Sequence, residues 1–140
     1  MGTYVTGPVQ MGTGLDNTGT DTGYVVSSQT ALINRDATLV QSATFRLPAN
    51  AQIVDIFVDV ITAYDSATSA TVSAGTTAGG TEYLSGISAK TAGRRPNAYS
   101  GAQVGAIANV GNNTTLVATV TSVGQPTVGQ LRVTVLYAQK

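Results

Sequence analysis

Apolar and polar positions alternate with a period of two through most of the chain. Val54, Ile56, Val58 and Val60 alternate with Asp55, Phe57, Asp59 and Ile61, which predicts a strand with one buried β-branched face. Leu39, Ala43, Phe45 and Leu47 alternate with Thr38, Ser42, Thr44 and Arg46 in the same way. So do Leu116, Ala118 and Val120, and at the end of the chain Leu131, Val133, Val135 and Tyr137. Weaker strand patterns run over Val25 to Ile33, Ser69 to Ala74 and Thr81 to Ser88. The predicted core sets Val54, Ile56, Val58 and Val60 inward, with Leu39, Phe45, Val133 and Val135 opposite or beside them. Turn chemistry separates the runs. Asn34-Arg35-Asp36 stands between the first two at hairpin spacing, Pro48-Ala49-Asn50 ends the second, and Ala78-Gly79-Gly80, Gly111-Asn112-Asn113 and Gly124-Gln125-Pro126 punctuate the rest. Short strands at regular spacing predict an all-β fold, an antiparallel β-sandwich or jelly roll. Ala102 to Val110 departs from the pattern: Val104, Ile107 and Ala108 sit near helical spacing and suit a short helix capping one end, with Gly105 as a weak point.

Residues 1–23 carry a different pattern, rich in Gly and Thr with few core-formers. They read as an extended N-terminal arm and linker ahead of a sandwich domain at 24–140. The arm's apolar residues, Tyr4, Val5, Pro8, Val9, Met11 and Leu15, fall in its first part. This suggests a short docking segment, followed by a linker from Asp16 to Gly23, that lies on a neighbouring protein surface.

Composition narrows the chemistry. The chain has 140 residues, enough for one domain with its own core. It holds no cysteine and no histidine, which excludes disulfides, thiolate or imidazole metal ligands, and Ser-His-Asp or Cys-His catalysis. Seven basic and seven acidic residues cancel, so the charge expected of a nucleic-acid binder is missing. Charged residues are only 10% of the chain, against about 25% in ordinary domains. Such a surface favours association, and a homo-oligomer, a homotrimer in the first instance, is expected. The longest apolar stretch, Ile53 to Ile61, is interrupted by Asp55 and Asp59 and is too short for a membrane span. Met1-Gly2-Thr3-Tyr4 has no basic region or apolar run, so no secretory leader is expected.

Few constellations remain. Asp21-Thr22-Gly23 matches the aspartic-protease triplet, but it follows a polar, turn-like stretch rather than a buried strand. Asp16, Asn17 and Asp21 lack the spacing of a calcium loop. Asp55 and Asp59 lie four apart on one strand face, about 13 Å by strand rise, too far for a carboxylate pair. They read instead as a solvated or interface face that discourages edge pairing. Arg94-Arg95-Pro96, with Lys90 nearby, is the one basic cluster, read as an exposed loop or as a charge anchor for an acidic protein surface. No enzyme, cofactor or metal is expected.

Thr3-Tyr4-Val5-Thr6-Gly7-Pro8-Val9, Leu47-Pro48-Ala49-Asn50-Ala51-Gln52-Ile53-Val54-Asp55-Ile56, Asp65 to Val72 with Gly75 and Gly79-Gly80-Thr81, and Val133 to Gln139 together resemble small virion proteins of tailed bacteriophages. Among these the chain is similar to capsid decoration, or cement, proteins. The resemblance implies a sandwich or jelly-roll module, assembled in the host cytoplasm, that binds the outer capsid surface, often as a trimer. The major capsid protein would be its partner, with no nucleic acid or membrane involved. The candidate partner-binding residues are Tyr4, Val5, Val9, Met11, Arg94 and Arg95. The alternative is a tail or head-fibre component that presents a β-sandwich to a host receptor.

Overall fold

The alternating runs fold into eight strands and one helix within residues 24–139, the part of the chain that this computed structural model describes. The strands are β1 (Val26–Asn34), β2 (Val40–Arg46), β3 (Ala51–Thr62), β4 (Ser69–Gly75), β5 (Leu84–Ser88), β6 (Gly93–Arg95), β7 (Thr115–Val123) and β8 (Gln130–Gln139). The helix, α1 (Gly101–Ala108), lies between β6 and β7. Two four-stranded antiparallel sheets result. One, sheet A, has the order β1-β8-β3-β6; the other, sheet B, has the order β2-β7-β4-β5. β1 pairs with β8, β2 with β7, β3 with β6 and β4 with β5. That nesting of first with last is a long antiparallel ribbon wrapped into a sandwich, the jelly-roll arrangement.

The core lies between the inner faces. Ile56, Val58, Val60, Leu131, Val133 and Val135 from sheet A meet Val72, Ala74, Leu84, Leu116, Ala118 and Val120 from sheet B, all buried. Each larger side chain contributes about 1.5–3 kcal/mol by leaving water. Tyr64, in the β3–β4 connection, is also fully buried, its ring lying where a side chain on Gly129 would stand.

Several sequence expectations need correction. Asn34-Arg35-Asp36 is not a hairpin: β1 and β2 belong to different sheets, and the segment crosses between them. Asp36 Oδ1 shapes that crossing by accepting from the Thr38 amide (2.7 Å), the Thr38 hydroxyl (2.6 Å) and Gln41 Nε2 (3.0 Å). Leu39 therefore precedes β2 at the rim and is exposed, while Gln41 takes the inward place beside Phe45. Val54 points outward, because a β-bulge lies between Ile53 and Asp55. The extra residue reverses the facing, so that Ala51 and Ile53 before it and Ile56, Val58 and Val60 after it all reach the core. Arg94 and Arg95 lie in strand β6 rather than in a loop. Asp59 is buried rather than solvated.

The helix forms where expected, one residue early. Ser100 is its N-cap and Gln103 its capping-box partner, each closing on the other's backbone amide. Gln103 is buried, and its Nε2 donates to Thr81 O (3.0 Å) and Ser85 Oγ (3.1 Å), tying α1 to the β5 side of the sandwich.

Candidate functional site

The two outer sheet faces differ. On sheet B the β4–β5 connection folds back over the surface like a strap. Gly79 N donates to Thr119 Oγ1 (2.9 Å), and Thr119 and Val117, outward on central β7, are buried. The strap lies flat because residues 75 and 80 are glycines. A Cβ on Gly75 would stand 2.1 Å from Glu82 Oε2 and 2.6 Å from the Gly80 carbonyl carbon. Thr76 Oγ1 donates to Glu82 Oε1 (3.0 Å) and closes the strap on itself.

Nothing among the described residues covers sheet A in this way. Its outer face carries Val26 and Leu32 from β1, both about half exposed, with Leu136 and Thr134 from β8 and Val54 and Phe57 from β3. Beside them lies an ionic cluster. Arg94 on β6 meets Asp59 on β3 in a forked contact, Nε to Oδ1 at 2.6 Å and Nη2 to Oδ2 at 2.9 Å. Arg132 on β8 adds a bond to Oδ2 at 3.2 Å. The register explains the meeting: Asp59 pairs with Arg94 on one side and Arg132 on the other. The Arg94 hydrogen bonds hold the Asp59 carboxyl below its ordinary range despite burial, and Arg132 pulls the same way. The Arg94 guanidinium also lies over the Phe57 ring, 4.4 Å from its centroid.

Asp55, on the same face, answers to a different partner. Tyr99 donates its hydroxyl to Asp55 Oδ1 (2.7 Å) and accepts from the Ile56 amide (2.9 Å), while Asn97 Nδ2 donates to Ile56 O (2.6 Å). Burial, with Asp55 adding, pushes the Tyr99 phenol well above its usual range. The two aspartates are thus engaged separately, one by a phenol and one by guanidinium groups. Among the described residues no three His, Cys, Asp or Glu side chains gather as a metal site. No helix of the described chain is long and apolar enough to cross a membrane.

Of the residues singled out in the sequence, Tyr4, Val5, Val9 and Met11 lie outside the described residues, as do Asp16, Asn17 and the Asp21-Thr22-Gly23 triplet. Arg94 belongs to the sheet A face with its charge matched by Asp59. Arg95 pairs with Val58 and turns to the inner side, with Nε buried and unpartnered among the described residues. Sequence reasoning missed Phe57, Arg132, Leu32 and Leu136. Their signal was present as apolar or basic residues on the polar side of each alternation.

No protein-family model matches this sequence, and no curated protein matches it. Among solved structures, the fold is similar to a chain of the cyanophage Pam1 capsid asymmetric unit, with a TM-score of 0.60 and 20% identity. The match spans 90% of this chain and 93% of that one.

Proposed function

We propose that this chain is a structural virion protein of a phage, a decoration or cement protein that binds the outer face of the head and stabilises it by bridging shell subunits. The observation that carries the reading is the near end-to-end likeness between this jelly roll and a chain of a phage capsid asymmetric unit. The character of the surface supports it. A charge-poor chain presents one strapped sheet face and one that the described residues leave uncovered, where an aromatic ring, two arginines and several aliphatic side chains stand together. Aromatic residues and arginine are enriched at protein interfaces. We assign the sheet A face to the shell, with Arg94 contributing through its stacked, carboxylate-bound guanidinium. The arm residues Tyr4, Val5, Val9 and Met11, together with Arg95, remain proposed contacts. No catalytic step belongs to this reading. Self-association does, in the form of the homotrimer that composition suggested or of another closed oligomer.

Quantitative mass spectrometry of purified virions tests the role. A decoration protein is present in copies on the order of the shell subunits' own number, and stripped heads rebind the purified protein. A few copies per particle would favour the fibre reading, and absence from the particle would end both.

A further inference from the structure

The sandwich has four sheet edges; two of them are blocked and a third is partly occupied. β6 is three residues long, carries Arg94 and Arg95, and is followed by Pro96. Beyond it the β3 edge is closed by side chains, since Tyr99 and Asn97 take the Ile56 amide and carbonyl. β5 is five residues long, is bent by Gly86 at φ +72°, and is tied to α1 through Gln103. On β2, the bonds Ser122 N to Leu39 O and Leu47 N to Thr114 O place the odd-numbered residues toward β7, so the even ones face the edge. One of those outward carbonyls is already taken, Arg46 O by Gln29 Nε2 (2.5 Å), and the strand is seven residues long and ends in the charged Arg46.

β1 is different. It is nine residues long with no charge, proline or bulge, and among the described residues nothing guards it. The bond from Arg35 N to Gly129 O continues its register with β8 and places the odd-numbered residues inward. The Thr30–Thr134 hydroxyl contact at 3.2 Å agrees, because side chains approach most closely at non-hydrogen-bonded pairs. The amides and carbonyls of Val26, Ser28, Thr30, Leu32 and Asn34 therefore all point out of the edge. None has a partner among the described residues.

We propose that β1 pairs with β1 of a second copy of this chain, antiparallel across a two-fold axis at Thr30. In that register Thr30 faces its own counterpart, Ser28 faces Leu32 and Val26 faces Asn34. Every outward amide and carbonyl of one copy then meets its complement on the other. No like charges oppose one another, because β1 has none. The half-exposed Val26 and Leu32 come to flank the axis on the outer face. β1 is the longest of the four edges and the least guarded among the described residues, and an open strand closes an assembly of identical copies by pairing with itself. Such a contact has two-fold symmetry, so it replaces the homotrimer as the expected state of the free protein. It does not depend on the virion role, because the test below contains no virion.

The cysteine-free chain makes the test direct. Facing residues of a hydrogen-bonded antiparallel pair have Cα atoms about 5.5 Å apart, within the disulfide range of about 4.4–6.8 Å. Thr30→Cys in the full chain, under mild oxidation, is expected to give a covalent species of twice 14.2 kDa. Ser28→Cys alone should not, because its counterpart sits four residues away across the axis. Ser28→Cys combined with Leu32→Cys should crosslink again. Wild type should sediment as a dimer. Thr30→Lys and Thr30→Glu should each weaken association by about tenfold or more, through like charges facing at the axis. An equimolar mixture of the two should restore it. The proposal is overturned by a wild-type monomer or trimer, or by a Thr30→Cys protein that stays monomeric. It also fails if Ser28→Cys crosslinks equally well, or if Lys and Glu act alike with no rescue on mixing. That last outcome would mean that another strand, such as the residue 1–23 arm, occupies the edge.

Discussion

Gly75→Ala puts the strap of sheet B to a quantitative test. The new Cβ would lie 2.1 Å from Glu82 Oε2 and 2.6 Å from the Gly80 carbonyl carbon. The carboxylate can swing away, but the Gly80 backbone can move only if the strap lifts. Overpacking of this kind costs about 1–3 kcal/mol. Lifting the strap also breaks the bond from Gly79 N to the fully buried Thr119 hydroxyl, which adds about 1 kcal/mol. The total is about 2–4 kcal/mol. At about 4 °C per kcal/mol for a domain of this size, Tm should fall by roughly 8–16 °C in calorimetry. Adding Glu82→Ala should recover only part of the loss, since the backbone contact remains. Gly105→Ala is the matched control. Its Cβ meets nothing within 4 Å, and it lies inside α1, so alanine should stabilise by about 0.5–1 kcal/mol. A Gly75→Ala protein that melts with wild type would show that the strap does not rest on residue 75.

Other expectations follow from the core and the ionic cluster. Val58→Asp places an unpaired carboxylate between the sheets and should cost about 3–5 kcal/mol in urea unfolding; unchanged stability would refute its inward facing. Tyr64→Phe should be neutral or slightly stabilising, because the buried hydroxyl has no partner among the described residues; a loss above about 1 kcal/mol would reveal one. Asp59 and Asp65 both have folded pKa values below the ordinary 3.8, and Asp65 falls to about 2 through bonds from the Thr127 hydroxyl and the Val128 and Thr127 amides. A depressed carboxylate stabilises the fold above its unfolded pKa and loses that contribution as pH falls through the folded one. Stability should therefore decline below about pH 4 and go on declining toward pH 2, and Asp59→Asn should flatten part of that slope. A slope unchanged in Asp59→Asn would argue against the Arg94 and Arg132 contacts in solution.

The strands were legible wherever alternation ran unbroken, as in Leu131 to Tyr137 or Leu116 to Val120. They were misread where a distant segment changed the facing. Val54 looked like core because nothing in its neighbourhood announces the bulge; the side chains that hold the Ile56 backbone just after it come from Asn97 and Tyr99, more than forty residues on. Leu39 fits its alternation, but the Asp36 turn holds it at the rim. β6 is too short to show a period. The pairing of β1 with β8 involves the two strands farthest apart in the described chain, so spacing alone suggested a hairpin that does not exist. One signal could have been used: Ser100-Gly101-Ala102-Gln103 is a capping box, and it fixes the start of α1 better than the alanine-rich run did.

Of the site, Arg94 and the shared face of Asp55 and Asp59 were visible beforehand, Arg94 for a reason the structure changes. A basic pair in sequence suggests free charge, but the register delivers Asp59 to Arg94 from one neighbouring strand and Arg132 to Asp59 from the other. The same scarcity of charge gives the edges their meaning. With so few ionised side chains, their positions matter: Arg94 and Arg95 fall on β6, Glu82 on the strap, Arg46 at the end of β2, and none on β1. A guarded far edge and an unguarded near edge have opposite consequences for growth. Were both open, copies could add head to tail without limit and the sheets would run into filaments. With β6 and β5 blocked, and β2 shorter and ending in Arg46, pairing through β1 uses up the longest unguarded strand among the described residues, and assembly through that edge stops at two. The two sheet A faces then lie side by side as one surface of doubled width, available to the larger shell on which we place the protein.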